Sequence, residues 1–262
     1  MLWALRGLRD GVVTSSFPGQ ADPYADSFPA AVRPVGGGPP RNGAKIDPGL
    51  CPTAAISIDD ELRVDDGRCI LCGRCVRQRP DLFRWETGST TARLHRRALV
   101  VPELPDTDEA VEQVRRDLAT RTRALRRSVH VRHVDAGSDG SDEWEVLALL
   151  NPVYDVQRLG IFFTASPRHA DILLVTGAGS YGMAEPLRRT VEALPRPLVM
   201  IAAGVDAVSG GLVSPSYAVA GGVSGLVEVD VWVPGSPPSP FSLLHGLLLA
   251  VGRVGPEGRG GR

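Results

Sequence analysis

From residue 129 onward the chain breaks into short apolar runs separated by stretches with helical spacing. The runs VHVRHVD (129–135), DILLVTG (171–177), PLVMIAAG (197–204) and VEVDVWVPG (227–235) each suit a buried strand, with helices expected after the first, second and fourth. Strands alternating with helices predict a mostly parallel sheet covered on both faces, an α/β architecture. In such sheets the functional loops lie beyond the carboxyl ends of the strands. Those loops read DAGSDGSD (135–142), GAGSYGM (177–183), GVDAVSGG (204–211) and PGSPPSP (234–240).

The first half of the chain is patterned differently. Residues 1–40 are rich in Pro, Gly, Ala and Ser and show no sustained periodicity beyond a short helix at MLWALRGLRD. They are expected to form an arm that orders only against a partner. Residues 41–101 form a second, cysteine-bearing segment, and 102–128 are predicted to be a linking helix. That helix opens at Asp106 as N-cap with Glu109 three residues on, repeats Val111, Val114, Leu118 and Leu125 at helical spacing, and drifts from acidic to basic. Its arginines (Arg115, Arg116, Arg121, Arg123, Arg126 and Arg127) suit a solvated face. The α/β segment runs over 129–253, and 254–262 read as a flexible tail.

Composition narrows the function classes. The chain has 262 residues, 29 Lys plus Arg against 30 Asp plus Glu, and a formal net charge of −1. No bulk attraction to nucleic acid or to an anionic membrane follows from that balance. The most apolar stretch, FSLLHGLLLAV (241–251), is about half the length a membrane span needs. Membrane contact is therefore expected only through partners.

The four cysteines carry the sharpest chemical signal: Cys51 followed by Pro52, then Cys69, Cys72 and Cys75. In two-cluster ferredoxins each C-x2-C-x2-C-x3-C-P run gives three thiolates to one cluster, and its last cysteine ligates the other. Here the second run keeps its three leading cysteines and the first keeps only its Cys-Pro, which together make the ligand set of one 4Fe-4S cluster. The positions for a second cluster read Arg41, Ala44, Asp47 and Arg79 before Pro80. Zinc sites usually pair C-x2-C with a second such pair or with spaced histidines. A disulfide framework suits a short secreted chain, and no signal peptide is visible. The segment CPTAAISIDDELRVDDGRCILCGRCVRQRPDLF, with a short hairpin between its two runs, resembles the bacterial-type ferredoxin family over roughly residues 41–101.

A second resemblance covers residues 128–253. The stretches NPVYDVQRLGI, ASPRHAD, MIAAGVDAVSGG, SYAVAGGV and VDVWVPGSPP are similar to the small, cluster-bearing subunit shared by complex I and membrane-bound nickel-iron hydrogenases, with the hydrogenase and formate hydrogenlyase branch the closer match. The resemblance implies a flavodoxin-like α/β fold preceded by the small α+β ferredoxin-like domain. It also implies that a 4Fe-4S cluster would be held by a C-x-x-C pair in the first loop, one cysteine after the third strand and one in a P-G-C-P-P turn. Those four positions here read Asp139, Asp142, Asp206 and Ser236, while Gly204, Gly210, Gly211, Pro234, Gly235, Pro237 and Pro238 of the surrounding motifs are kept. Hard oxygen ligands serve an iron-sulfur cluster poorly, so this domain is expected to have lost its cluster. The same oxygens suit a hard cation such as magnesium or manganese, or pairing with arginines at a subunit interface.

One competing motif remains. Gly177, Gly179 and Gly182 spell G-x-G-x-x-G after a strand and before a helix, the setting of a dinucleotide fingerprint. The acid expected about twenty residues on is absent from PLVMIAA, and a strand already precedes the motif. His130, His133 and His169 have no ligand-like pairing. The expected function is thus a non-catalytic electron-transfer subunit with one 4Fe-4S cluster, in a hydrogenase-like or NADH:quinone oxidoreductase-like complex on the cytoplasmic face of the cell membrane. Its expected partners are a large subunit, membrane subunits and redox proteins, with no nucleic acid. The alternatives are a mainly structural or assembly subunit and, further off, a nucleotide-binding α/β protein.

Overall fold

The computed structural model describes residues 2–36, 46–58, 61–102 and 128–255, with a few positions between 113 and 123. Most of the predicted linking helix, including Asp106 and Glu109, lies outside the described residues. So do Arg41 and Ala44 and the tail beyond residue 255. Within the helix, Gln113, Arg116, Asp117, Thr120 and Thr122 are helical.

Five parallel strands organise the second half: β6 (Val129–Asp135), β7 (Ile161–Phe163), β8 (Ile172–Thr176), β9 (Val199–Ala203) and β10 (Val231–Val233). Their spatial order is β10-β9-β8-β6-β7, with Val131 beside Ile172 and Asp135 beside Thr176 in the β6–β8 register. Taken in chain order this is the flavodoxin arrangement, second-first-third-fourth-fifth, which reverses direction between β6 and β8. The four strands expected from the apolar runs are present. The fifth, β7, is a three-residue edge strand that the pattern does not announce.

Alternate residues of the strands feed two cores, which is why these strands read as continuous apolar runs. Val131, Leu174 and Ile201 face one core with helix α6 (Pro240–Ala250), while Leu173, Val175 and Met200 face the other with helix α4 (Tyr181–Ala193). Helix α3 (Ser141–Ala148) follows β6, and a short helix, α5 (Val205–Ser209), follows β9 where none is expected from the sequence. Helix α6 is capped by Ser239, whose hydroxyl accepts from the Ser242 amide at 3.2 Å, and it is buried along its whole length. The FSLLHGLLLAV stretch is thus a core helix. No helix among the described residues is long and apolar enough to cross a membrane.

The first half holds antiparallel pairs: β1 (Pro29–Pro34) with β4 (Phe83–Thr87), and β2 (Ile56–Ile58) with β3 (Leu62–Asp65), itself beside β5 (Val100–Val101). A five-residue helix, α2 (Arg74–Gln78), sits before β4. The arm differs from its expectation, because it packs on its own chain. A helix, α1 (Leu2–Asp10), begins it; β1 then supplies a strand to the cysteine-bearing part, and Phe17 inserts into the sheet core at 3% exposure, edge-on to Phe241 with ring centroids 5.4 Å apart. The Ser15 amide donates to Val153 O at 2.9 Å, and the Arg158 guanidinium donates to Ser15 O and Phe17 O. Absent hydrophobic periodicity does not mean absent anchors when single aromatics fill pockets.

Candidate functional site

All four cysteines line one cavity, with about 340 Å³ of empty space including the solvent at its mouth. Cys75 is buried, Cys51 and Cys69 are half-buried, and Cys72 is exposed. The backbone turns amides toward the sulfurs. Ala54 and Leu71 both take left-handed conformations (φ 50° and 53°), a cost non-glycine residues accept where local structure demands it. After the first of these turns the Ala55 amide donates to Cys51 Sγ at 3.2 Å, while amides at Leu71 and Val76 interact with Cys69 and Cys75. Gly73 is likewise left-handed, and a side chain there would meet the ring of Trp85 at 2.7 Å.

Burial acts against these groups as free thiolates. Desolvation, together with neighbouring Asp66, Cys75 and Cys51, pushes the Cys69 thiol up to about 12, and burial raises Cys75 as well. Buried sulfurs supplied with N–H donors and crowded by one another match a cationic metal group that binds thiolates. Among the described residues no three His, Cys, Asp or Glu side chains gather closely enough to hold one metal ion. A cluster differs from an ion in this respect, because each thiolate binds a different iron at the corner of a larger body. The four thiols around one cavity belong to residues that could hold an iron-sulfur cluster in this way.

Ion pairs brace this loop. The Cys69 amide donates to Asp65 O at 3.0 Å, and the Asp65 carboxylate receives both Nη1 and Nη2 of Arg96 at 2.8 and 2.7 Å. Its neighbour Asp66 pairs with Arg33 of β1 at 2.7 Å. The positions for a second cluster are used otherwise: Asp47 accepts from the Gly49 amide at 2.9 Å, and Arg79 makes a two-pronged pair with Asp81 on the surface.

Asp139, Asp142, Asp206 and Ser236 also meet, around a second and larger cavity beyond the carboxyl ends of β6, β9 and β10. Ile70, between Cys69 and Cys72, lines both cavities. Asp142 lies in the first turn of α3, Asp206 in the first turn of α5, and Ser236 in the turn after β10. Asp139 is exposed and accepts from the amide and hydroxyl of Ser141, which holds its carboxyl below the usual range. Asp142 is buried; desolvation first, then Asp206 and Glu143, push it up to about 8. Asp206 is raised by burial and by Asp139 and Glu143. Glu143 itself is held from below, accepting from the hydroxyls of Thr176 and Ser138, with His133 Nε2 at 2.9 Å from the same threonine hydroxyl.

The glycines of the G-x-G-x-x-G stretch have local explanations. A side chain at Gly177 would collide with the backbone of Gly137 and Ser138 at 2.6–2.7 Å, one at Gly179 with Gly222 O at 2.7 Å, and Gly182 has nothing within 4 Å. The space a pyrophosphate would need above the first two glycines is occupied by the protein's own loops. His130 pairs loosely with Asp171 at 3.6 Å, and it joins neither cavity.

Comparison with known proteins finds relatives for the second half of the chain. Residues 140–250 match the family described as NADH ubiquinone oxidoreductase, 20 Kd subunit. A probable membrane-bound hydrogenase subunit, mbhJ, of Pyrococcus furiosus is 36% identical over 143 residues, which span 55% of this chain and 86% of that protein. The chain belongs to this 20 Kd subunit family. Formate hydrogenlyase subunit 7 of Escherichia coli is 38% identical over 152 residues, 58% of each chain, so the match spans little more than half of that relative. Among solved structures, one of the membrane-bound sulfane sulfur reductase, an archaeal respiratory membrane complex, aligns over 50% of this chain and 74% of that one at 25% identity, with a TM-score of 0.44.

The family match begins at Gly140, inside the loop that carries Asp139 and Asp142, and contains Asp206 and Ser236. The four cysteines fall outside it. Three features of the site were not foreseen: the shared Ile70, the Arg33–Asp66 and Arg96–Asp65 braces, and the Glu143–Thr176–His133 network. No short-range pattern joins such residues; only the folded loops do.

Proposed function

We propose that this protein is an electron-transfer subunit of a membrane-associated hydrogenase-like or complex I-like assembly, carrying one 4Fe-4S cluster on Cys51, Cys69, Cys72 and Cys75 and none in its family domain. The observation that carries this reading is the convergence of all four thiols on one cavity, with an amide donor for Cys51 Sγ. Such a cluster, when bound, supplies one-electron storage at a potential set by hydrogen bonds to its sulfurs and by burial. The chain's own residues do the rest. The left-handed turns at Ala54 and Leu71 aim amides at the sulfurs, Cys75 is the most buried of the four, and Cys72 is left at the surface where a redox partner could approach. No described helix is long and apolar enough to cross a membrane, and one relative is named a membrane-bound hydrogenase subunit; in this proposal partner subunits attach the chain to the cytoplasmic face.

In this reading the cavity lined by Asp139, Asp142, Asp206 and Ser236 holds oxygens where the family resemblance implies thiolates, which interrupts the usual relay. That observation favours a second reading, in which the domain mainly holds a large subunit and a membrane arm together while the cluster stabilises the N-terminal half.

Iron and acid-labile sulfide analysis, with electron paramagnetic resonance after reduction on protein purified without oxygen, tests the first reading. About four irons per chain and one reduced-cluster signal, lost in Cys72→Ala, are expected. Zinc alone would sink the proposal, and about eight irons would mean that the oxygen-lined cavity also carries a cluster. If Cys72→Ala still assembles with its partners and the complex keeps full electron flow, the structural reading replaces the first.

A further inference from the structure

The oxygen-lined cavity gathers acidic groups with no cation among the described residues that line it. Asp139, Asp142 and Asp206 face it, and no lysine, arginine or histidine is among the residues that line it. Asp142 is the decisive group. It is 4% exposed, it borders the cavity, and among the described residues no donor or cation engages its carboxylate. The charges that act on it are all acidic, Asp206 foremost, then Glu143, Asp139 and Asp135. With no partner on the protein side, the Asp142 oxygens open onto the cavity, so their counterpart must be something that enters it.

The backbone preserves this geometry. Gly204 and Gly211 have no side chains at the places where the carboxylates of Asp142 and Asp206 rest, with a Cβ falling 2.1 and 1.9 Å from their oxygens. The absent side chains are what let the two carboxylates lie against the backbone at these glycines.

We infer that this cavity binds a hydrated divalent cation of the magnesium type, held chiefly by Asp142 and Asp206, with Asp139 and Ser236 meeting its water shell. Carboxylate and hydroxyl oxygens are hard donors, the kind magnesium and manganese prefer. No three acids in the cavity come close enough to chelate a bare ion. Magnesium does not require that: it gives up water reluctantly and is usually held by one or two carboxylates while keeping several waters. About 760 Å³ of empty space, solvent included, leaves room for the ion with its shell. Two acids facing one cavity suit a guest with two positive charges, which a divalent ion supplies and a single guanidinium does not; on binding, the ion displaces the proton that Asp142 otherwise holds. This site is separate from the cysteine cavity and does not depend on the cluster reading.

Titration of the full chain, its cysteine site loaded, with Mn2+ alone tests the inference, with free Mn2+ followed by electron paramagnetic resonance. One saturable Mn2+ per chain is expected, displaced by Mg2+, with affinity at least tenfold weaker in Asp142→Asn and in Asp206→Asn. Glu185→Gln, on α4 and in neither cavity, should bind Mn2+ as the parent does. Asp206 is only half-buried, so its variant keeps the test open if Asp142→Asn does not fold. Absence of saturable Mn2+ binding, equal binding in both aspartate variants, or displacement by methylguanidinium but not by Mg2+ would each overturn the inference. The last result would point instead to a partner's arginine as the guest.

Discussion

The carboxylate of Asp142 rests on the bare Cα of Gly204: a Cβ at that glycine would stand 2.1 Å from Oδ2 and 2.5 Å from Cγ. Gly204 also has φ near +91°, where a side chain is strained in any case. A family glycine therefore sets the position of an acid that the family resemblance would make a cysteine.

Gly204→Ala should destabilise the protein by about 2 kcal/mol or more, from overpacking added to backbone strain. Urea midpoints measure this directly. The double variant Gly204→Ala/Asp142→Ser should recover part of the loss, leaving the strain component. Equal losses in the single and double variants would mean that the two residues do not compete for space.

Asp142 makes stability fall as pH rises. Its folded-state pKa, about 8, lies above the ordinary carboxyl value, so the folded chain holds that proton more tightly than the unfolded chain. The favourable contribution is complete below about pH 4 and is lost progressively up to about pH 8. In EDTA, Asp142→Asn should melt several degrees above the parent at pH 8.5, and the gap should close by pH 5. Parallel curves at both pH values would show that the carboxyl is not held neutral.

His245 acts in the opposite direction. Its Nδ1 accepts from the Ala92 amide at 3.2 Å, its Nε2 donates to Gly255 O at 3.1 Å, and burial pulls its pKa down to about 4. The neutral ring is favoured in the folded state, so stability is lost as pH falls from about 6.5 toward 4, by up to about 1.4 kcal/mol per pH unit. His245→Gln should lower stability at pH 7 while flattening the acid limb, as read from thermal melts at pH 4.5 to 7.

Cluster-free protein should show unequal thiol reactivity. Cys72 is exposed, whereas burial and neighbouring acids push the Cys69 thiol up to about 12. At pH 8, iodoacetamide followed by mass spectrometry should find Cys72 modified well before Cys69. Loading the cluster should protect all four, and equal rates in the cluster-free chain would contradict the burial of Cys69.

The sheet was legible in the sequence because β8, β9 and β10 are buried on both faces and so appear as unbroken apolar runs. Strand β7 escaped because its Phe162 is exposed and its three residues are too few to show a period. Strand β1 escaped for another reason. It is flanked by prolines, and its partner β4 lies some fifty residues away, so neither alternation nor a turn announces the pair. The convergence of the four cysteines followed from spacing. That Asp139, Asp142, Asp206 and Ser236 meet followed from the family resemblance alone, and the burial that raises Asp142 is a product of packing by Gly204 and α3.

The edge-on contact of Phe17 with Phe241 sets a timetable for biosynthesis. Phe17, Tyr24 and Tyr154 all close around a ring that the ribosome adds more than two hundred residues after the first of them. The opening stretch can pair with β4 and with Val153 and Arg158 before then, but Phe17 cannot complete its aromatic packing until α6 emerges. A nascent chain stalled before residue 240 would carry Phe17 without the ring it packs against, which gives quality control a local mark of incompleteness.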